Sequence, residues 1–552
     1  MKYFFCCKGS MAALLLSLFP ALSMAAPKFS EFPFQFPAAT ESVIAADLNG
    51  DSHRELISVL GETIRIYTAT EAGFDFESGY VEIPLESNAV AWDISRGLTN
   101  ADNYAIVTLT NGSSLQAWQL QGNTLSAPIL IADNLPGFIG RGITRTRFLR
   151  DINGDDLEDL VIPGAGVLYI YINTDAGFQS PLTIQSETRT RTQLDLDRLN
   201  VSSGQSVTIP FLELRDVNND GSADLISRTE ARLDVFLAAT AADAYFPRVP
   251  SYSVDIAAIE ARLGEFDVDN VDFSNLTGVL ALTHEEILDD VDNDGIEDLL
   301  IREGGKVSLF SGNATGMNLE TPRQVLRSGG NVLSTFLYDE NEDGLNDLWL
   351  WRVEPISVGD LFVWLALSGS IAIEAFVYPN DGDRFARRPN RRISVELRFP
   401  SVMRLANYYE SISTQADQLD SDSVPPHSIA RLDSENDRQD LLVLLGDQLR
   451  VFMNSIEVEA EEEAFLGSLG YSRERDDYRI NIRDVIDNIQ IGSSPQLRQV
   501  EDQQADQIIE LDVPVNRGDI AALPLNADEV DDIFVFTDYD TSQIRGLLLL
   551  SQ

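Results

Sequence analysis

Five segments of this chain place oxygen-bearing side chains at one fixed spacing. They are Asp47-Leu48-Asn49-Gly50-Asp51-Ser52-His53-Arg54-Glu55, Asp151-Ile152-Asn153-Gly154-Asp155-Asp156-Leu157-Glu158-Asp159, Asp216-Val217-Asn218-Asn219-Asp220-Gly221-Ser222-Ala223-Asp224, Asp290-Val291-Asp292-Asn293-Asp294-Gly295-Ile296-Glu297-Asp298 and Asp339-Glu340-Asn341-Glu342-Asp343-Gly344-Leu345-Asn346-Asp347. Side-chain oxygens at positions 1, 3, 5 and 9, with the backbone carbonyl of position 7, suit a hard cation that takes six to eight oxygens at about 2.3–2.6 Å. The position-7 carbonyls belong to His53, Leu157, Ser222, Ile296 and Leu345. Calcium fits this donor set, and about five sites are expected. Magnesium and zinc fit it less well. Glycine at position 6 permits the positive φ that turns such a loop back on itself. Three loops have it; Ser52 and Asp156 stand there in the other two and make those sites the weaker expectations.

These loops are not EF-hands. Position 12 is Ser58, Ile162, Ser227, Ile301 or Leu350 rather than Glu, and each loop runs into a short apolar strand such as 55–59 or 159–162. A second strand follows, at 64–67, 167–172, 233–236 and 307–310, often with a Gly-Phe pair after it such as Gly73-Phe74 or Gly177-Phe178. Each repeat therefore reads as one antiparallel sheet of four strands with the acidic loop between its first two.

The loops, together with Pro163-Gly164-Ala165-Gly166 and Gly177-Phe178-Gln179-Ser180-Pro181, resemble the FG-GAP repeat of integrin α chains, also called the VCBS repeat in bacterial exported proteins. The resemblance spans most of the chain. It implies an all-β fold, a β-propeller of seven or eight four-stranded blades with loop and helical insertions, and calcium ligation by the five loops. Thinned copies near Trp92-Asp93 to Val107, Leu432 to Val443 and Leu525 to Val535 bring the count to eight, which is the favoured number, and are not expected to hold ions. The spacing exceeds that of a plain blade, so insertions are expected near 184–205, 355–374, 400–425 and 455–515. The last unit supplies three strands; Phe29–Phe36 is expected to add the fourth at its outer edge. The apolar run Leu361–Ile373 is too short for a membrane span and is expected to be a buried insertion.

The first 25 residues have the composition of a signal peptide: early Lys2 and Lys8, an apolar run from Met11 to Leu22, then Ser23-Met24-Ala25-Ala26. Export to the periplasm, the cell surface or the medium is expected, leaving residues 26–552 as one propeller without a membrane span. Cys6 and Cys7 are the only cysteines and lie within the signal segment, so core burial and metal must stabilise the rest.

With 88 Asp and Glu against 40 Lys and Arg, the formal charge of −48 makes nucleic acid and anionic membranes poor partners and cations natural ones. His53, His284 and His427 form no metal-binding pair, and no nucleophile elbow, phosphate loop or dinucleotide fingerprint occurs. The reading is a non-enzymatic, calcium-bound scaffold for a protein or carbohydrate partner. The alternative is a carbohydrate-active enzyme resembling the calcium-containing propeller polysaccharide lyases. The chain's charge opposes a polyuronate substrate unless basic residues line the channel.

Overall fold

The computed structural model describes residues 27–552 except 39, 71–72, 86–88, 99–103, 111–113, 136–143, 165, 196–199, 240–243, 268–270, 402, 405–423, 434–437, 457–474, 482–493, 513–514, 516–517, 529 and 540–542. The signal segment thus lies outside the described residues, as do 457–474 within the insertion expected near 455–515.

The chain is mostly β. Among the described residues, eight larger sheets follow one another along the chain, at 40–84, 89–145, 149–185, 211–255, 284–327, 331–399, 427–510 and 519–551. Six have four strands. The second gains a parallel strand, Thr144–Arg145, beside Ala89–Arg96, and the sixth gains a parallel strand, Asp477–Asn481, beside Arg391–Phe399. The strand that follows each acidic loop opens, after the position-9 acid, with two or more consecutive apolar residues rather than alternating, and these are buried on both faces: Leu56 and Ile57, Leu225 and Ile226, and Leu299 and Leu300 are all at most 3% exposed. An unbroken apolar run of this length belongs in a sheet covered from both sides.

What covers it is the neighbouring sheet. Leu48, Ile64 and Ile66 of the first sheet share a core with Trp92 and Ile106 of the second. The second and third share Val107 and Leu160, the third and fourth Ile170 and Phe236, the fourth and fifth Ile226 and Leu299, and the fifth and sixth Leu309 and Leu350. The seventh and eighth share Leu442 and Val535. The eighth packs on the first, through Phe534 and Leu548 against Leu56 and Tyr67.

The eighth sheet is completed by the N-terminus. Phe29–Pro37 pairs antiparallel with Gln543–Ser551 over its whole length and lies at the sheet's outer edge, where the missing hydrogen bonds of Pro33 and Pro37 cost least. Phe34 and Phe36 are 3% and 1% exposed, within 6 Å of Phe76 and, respectively, of Phe534 and Tyr67. The strand expected to close the last unit is therefore in place.

The insertions are built in three ways. Residues near 184–205 form a hairpin, Glu187–Asp195 with Asn200–Thr208. The stretch 455–515 supplies outer strands to two different sheets, Asp477–Asn481 to the sixth and Gln507–Glu510 to the seventh. Residues 405–423 lie outside the described residues.

The run Leu361–Ile373 departs from expectation. It splits into a helix, Val358–Ala366, capped by Ser357 and Asp360, and the start of the strand Gly369–Tyr378. Phe362 is 68% exposed and Leu367 63%. The helix stacks Trp364 edge-on against Phe399, with ring centroids 4.9 Å apart, and turns its other apolar side chains outward, so it is not buried. Of the other tryptophans, Trp92 and Trp349 are core residues.

Candidate metal centre

Each of the five loops joins the first and second strands of its sheet, and all five adopt one conformation. Position 4 has positive φ in every loop (Gly50 77°, Gly154 74°, Asn219 59°, Asn293 58°, Glu342 62°), and so does position 6 (Ser52 70°, Asp156 65°, Gly221 85°, Gly295 87°, Gly344 86°). The two loops that lack glycine at position 6 therefore keep the same backbone. They carry glycine at position 4, Gly50 and Gly154, so each of these two loops still places a glycine at one of its two left-handed residues.

The position-1 aspartate organises the turn. Asp47 accepts from the backbone N–H of Gly50 and Ser52 at 2.7 and 3.0 Å, and Asp151, Asp216, Asp290 and Asp339 accept from the position-6 N–H at 2.7–3.0 Å. Position 5 accepts from the N–H of position 7 in each loop: Asp51 from His53, Asp155 from Leu157, Asp220 from Ser222, Asp294 from Ile296 and Asp343 from Leu345, at 2.8–2.9 Å. Positions 3 and 5 also meet: Asn49, Asn153 and Asn218 donate from Nδ2 to Asp51, Asp155 and Asp220 at 2.9–3.0 Å.

The fourth loop has a carboxylate at all three positions. One oxygen from each of Asp290, Asp292 and Asp294 lies within 4.8 Å of the others. Asp292 Oδ1 is buried and accepts no hydrogen bond. A buried acceptor without a donor is costly, and a cation at that point removes the cost. The donor set of hard oxygens fits calcium, which Asp290, Asp292 and Asp294 would hold together with the carbonyl of Ile296. Arg323 also reaches this loop: it pairs with Asp292 Oδ2, and with Asp298 Oδ2 at 2.9 Å. Neither contact was legible from spacing, since Arg323 lies 31 residues beyond Asp292.

Position 9 does something the spacing did not announce. Glu55, Asp159, Asp224 and Asp347 are fully buried and Asp298 is 3% exposed. Glu55, Asp159 and Asp224 each accept the N–H of the position-2 residue, from Leu48, Ile152 and Val217 at 2.8–2.9 Å. Asp159, Asp224, Asp298 and Asp347 accept an N–H from beyond the next strand, from Asn173, Ala238, Gly312 and Asn380 at 2.6–3.0 Å, which for Asp159 and Asp224 is a second one. The carboxylate thereby ties the start of the loop to the next hairpin. Burial holds Glu55 and Asp159 up at about 7 and Asp298 at about 6, against the pull of these N–H donors, and raises Asp224 and Asp347 as well.

Neighbouring loops touch. Glu297 N–H donates to the carbonyl of Val217 at 2.9 Å, Asn380 Nδ2 to that of Val291 at 2.6 Å, and Arg54 N–H to that of Leu525 at 2.7 Å, the last joining the first sheet to the eighth.

Fold and loops together define a β-rich protein of repeated antiparallel sheets that carry acidic, cation-competent turns. No family model matches the chain, and no curated protein matches it. Among solved structures it is similar to a lectin of Agrocybe aegerita described as recognising non-reducing terminal N-acetylglucosamine (13% identity, 64% of this chain and 79% of that one, TM-score 0.23). It is also similar to a chain from a Chaetomium thermophilum Polycomb Repressive Complex 2 structure (10%, 96% and 98%, TM-score 0.23) and to one from a complex of BBS1N with ARL6DN (8%, 96% and 94%, TM-score 0.19). Likeness at these scores carries no argument about function. Among the described residues no helix is long and apolar enough to cross a membrane.

Proposed function

We propose that the eight sheets are the blades of a β-propeller of the FG-GAP/VCBS type, that calcium occupies the five acidic loops, and that the exported protein is a rigid scaffold binding a protein or carbohydrate partner. The propeller reading rests on consecutive sheets that share cores from the first to the sixth and from the seventh to the eighth, with the last packed on the first and completed by the N-terminal strand. The observation that carries the metal reading is the convergence of Asp290, Asp292 and Asp294 around an oxygen that has no donor, in a loop conformation repeated five times. The ions are structural in this reading: each neutralises a turn whose carboxylates otherwise repel one another.

Thermal melting in chelator and in millimolar calcium tests it. A single site held at 100 times its dissociation constant adds ~2.7 kcal/mol when the unfolded chain does not bind. The midpoint is expected to rise strongly with calcium and much less with magnesium; an unchanged midpoint sinks the metal reading.

A further inference from the structure

A cavity of about 1070 Å³ opens between the first, second and eighth sheets, and its chemistry runs against that of the chain. Acidic residues outnumber basic ones by 88 to 40 overall, yet the walls hold three arginines, Arg54, Arg96 and Arg145, and a single carboxylate, Asp47. Ile44, Ile94 and Tyr104 supply apolar and aromatic surface between them.

Two of the guanidinium groups are held in place by aromatic rings. Arg145 lies over Trp92 at 5.7 Å and Arg96 over Tyr104 at 5.8 Å. Stacking fixes the plane of a guanidinium while leaving its N–H edge free to meet an oxyanion. Arg145 is ion-paired through Nε to Asp93 Oδ1 at 3.5 Å, and Asp93 also accepts from the N–H of Ile94 and Leu149. Asp47 turns both oxygens into its own loop, where they accept from Gly50 and Ser52. Neither Arg54 nor Arg96 forms an ion pair among the described residues. Three arginines, two of them over aromatic rings and two, Arg54 and Arg96, without a carboxylate partner, give this space a positive lining suited to negative charge, at the size of a small-ligand pocket.

We infer that this cavity binds a small ligand carrying two or more carboxylates, with Arg54, Arg96 and Arg145 as its recognition groups. Such groups come from uronic-acid oligosaccharides or from free dicarboxylic acids, and both present the same planar oxyanion to a guanidinium edge. The inference deepens the scaffold reading by naming a site and a ligand chemistry, but it does not depend on metal in the loops.

Isothermal titration of the full chain at fixed free calcium tests it, with hyaluronan tetrasaccharide, cellotetraose and glutarate as probes. The tetrasaccharide with carboxylates is expected to bind at least tenfold more tightly than neutral cellotetraose. Arg96→Gln and Arg54→Gln, both at exposed side chains, are each expected to weaken it by about tenfold, the loss of one charge-assisted hydrogen bond. Glutarate binding as tightly as the tetrasaccharide assigns the site to free acids; weaker glutarate binding assigns it to acidic sugars. Equal binding of the neutral and acidic tetrasaccharides, absence of binding by both acids, or an affinity unchanged in both variants overturns the inference. Calcium-dependent melting of the parent chain is read separately, so failure here and failure of the metal reading are distinguishable.

Discussion

The five full loops and the thinned loops of the seventh and eighth sheets differ at position 1 and agree in the buried carboxylate that ends the loop, at position 9 in the eighth and one residue later in the seventh. Where the full loops have Asp ahead of the clamped residue, the thinned ones have Arg431 and Pro524. Yet Asp440 and Asp532 are as buried as their counterparts, and they accept the N–H of Leu432 and Leu525 at 2.6 and 2.7 Å and of Asn454 and Ser551 at 2.6 and 2.7 Å. The bonds are those made by Asp159 and Asp224. A carboxylate retained with its hydrogen bonds where the cation donor at position 1 is absent serves the sheet first. In the proposed reading positions 1, 3 and 5 serve the ion, while position 9 ties the loop to the hairpin whether or not an ion is bound.

The largest effect is expected from cutting that tie. Asp532→Ala strands two buried N–H groups, each costing about 1–3 kcal/mol, and is expected to lower unfolding free energy by roughly 2–5 kcal/mol in chelator as well as in calcium. Urea denaturation reads it. A loss under about 1 kcal/mol, well below the cost of two unsatisfied N–H groups, removes the distinction between the two classes of position.

A smaller effect, and one visible only with metal, is expected from Asp343→Ala. Its carboxylate receives the N–H of Leu345 in an exposed turn, so little changes in chelator, whereas in saturating calcium about 2.7 kcal/mol of stabilisation disappears and native mass spectrometry counts one ion fewer. Asp528→Ala in the thinned eighth loop is the counterpart and is expected to leave the ion count as it was. Equal losses from both variants merge the two classes.

The smallest effect is on pH dependence in chelator. Burial raises Asp440 and Asp532 above their ordinary value of 3.8, so the folded state binds protons more tightly than the unfolded one. The stability they contribute is complete below the unfolded value and is lost as pH rises through the folded one. Stability of the metal-free chain is therefore expected to fall as pH rises from 3.8, and Asp532→Asn is expected to flatten that slope. A slope identical in parent and variant removes Asp532 from the account.

Much of this was legible in the sequence because it is local. Positions 1, 3 and 5 lie within one turn, so their spacing alone implies a shared centre, and apolar runs such as 55–59 and 299–301 imply strands covered on both faces. The phenylalanine alternation at Phe32, Phe34 and Phe36, beside a last unit short of a strand, was enough to place the N-terminus. Position 6, by contrast, was over-read. The left-handed residues do not require glycine at position 6: Ser52 and Asp156 hold the same φ there, each in a loop that has glycine at position 4, Gly50 and Gly154.

Tertiary structure decided the rest, and the physical reason is sequence distance. The donor beyond the next strand is 14 residues from Asp159 and 33 from Asp347, so the function of position 9 exists only once the next strand has folded back. Arg323 reaches Asp292 from just ahead of the outer strand of its sheet, and Arg54, Arg96 and Arg145 converge from two different sheets. The outward face of the helix Val358–Ala366 was likewise undecided by composition: an apolar run states only that water is unfavourable, and whether anything covers it depends on what the fold places opposite.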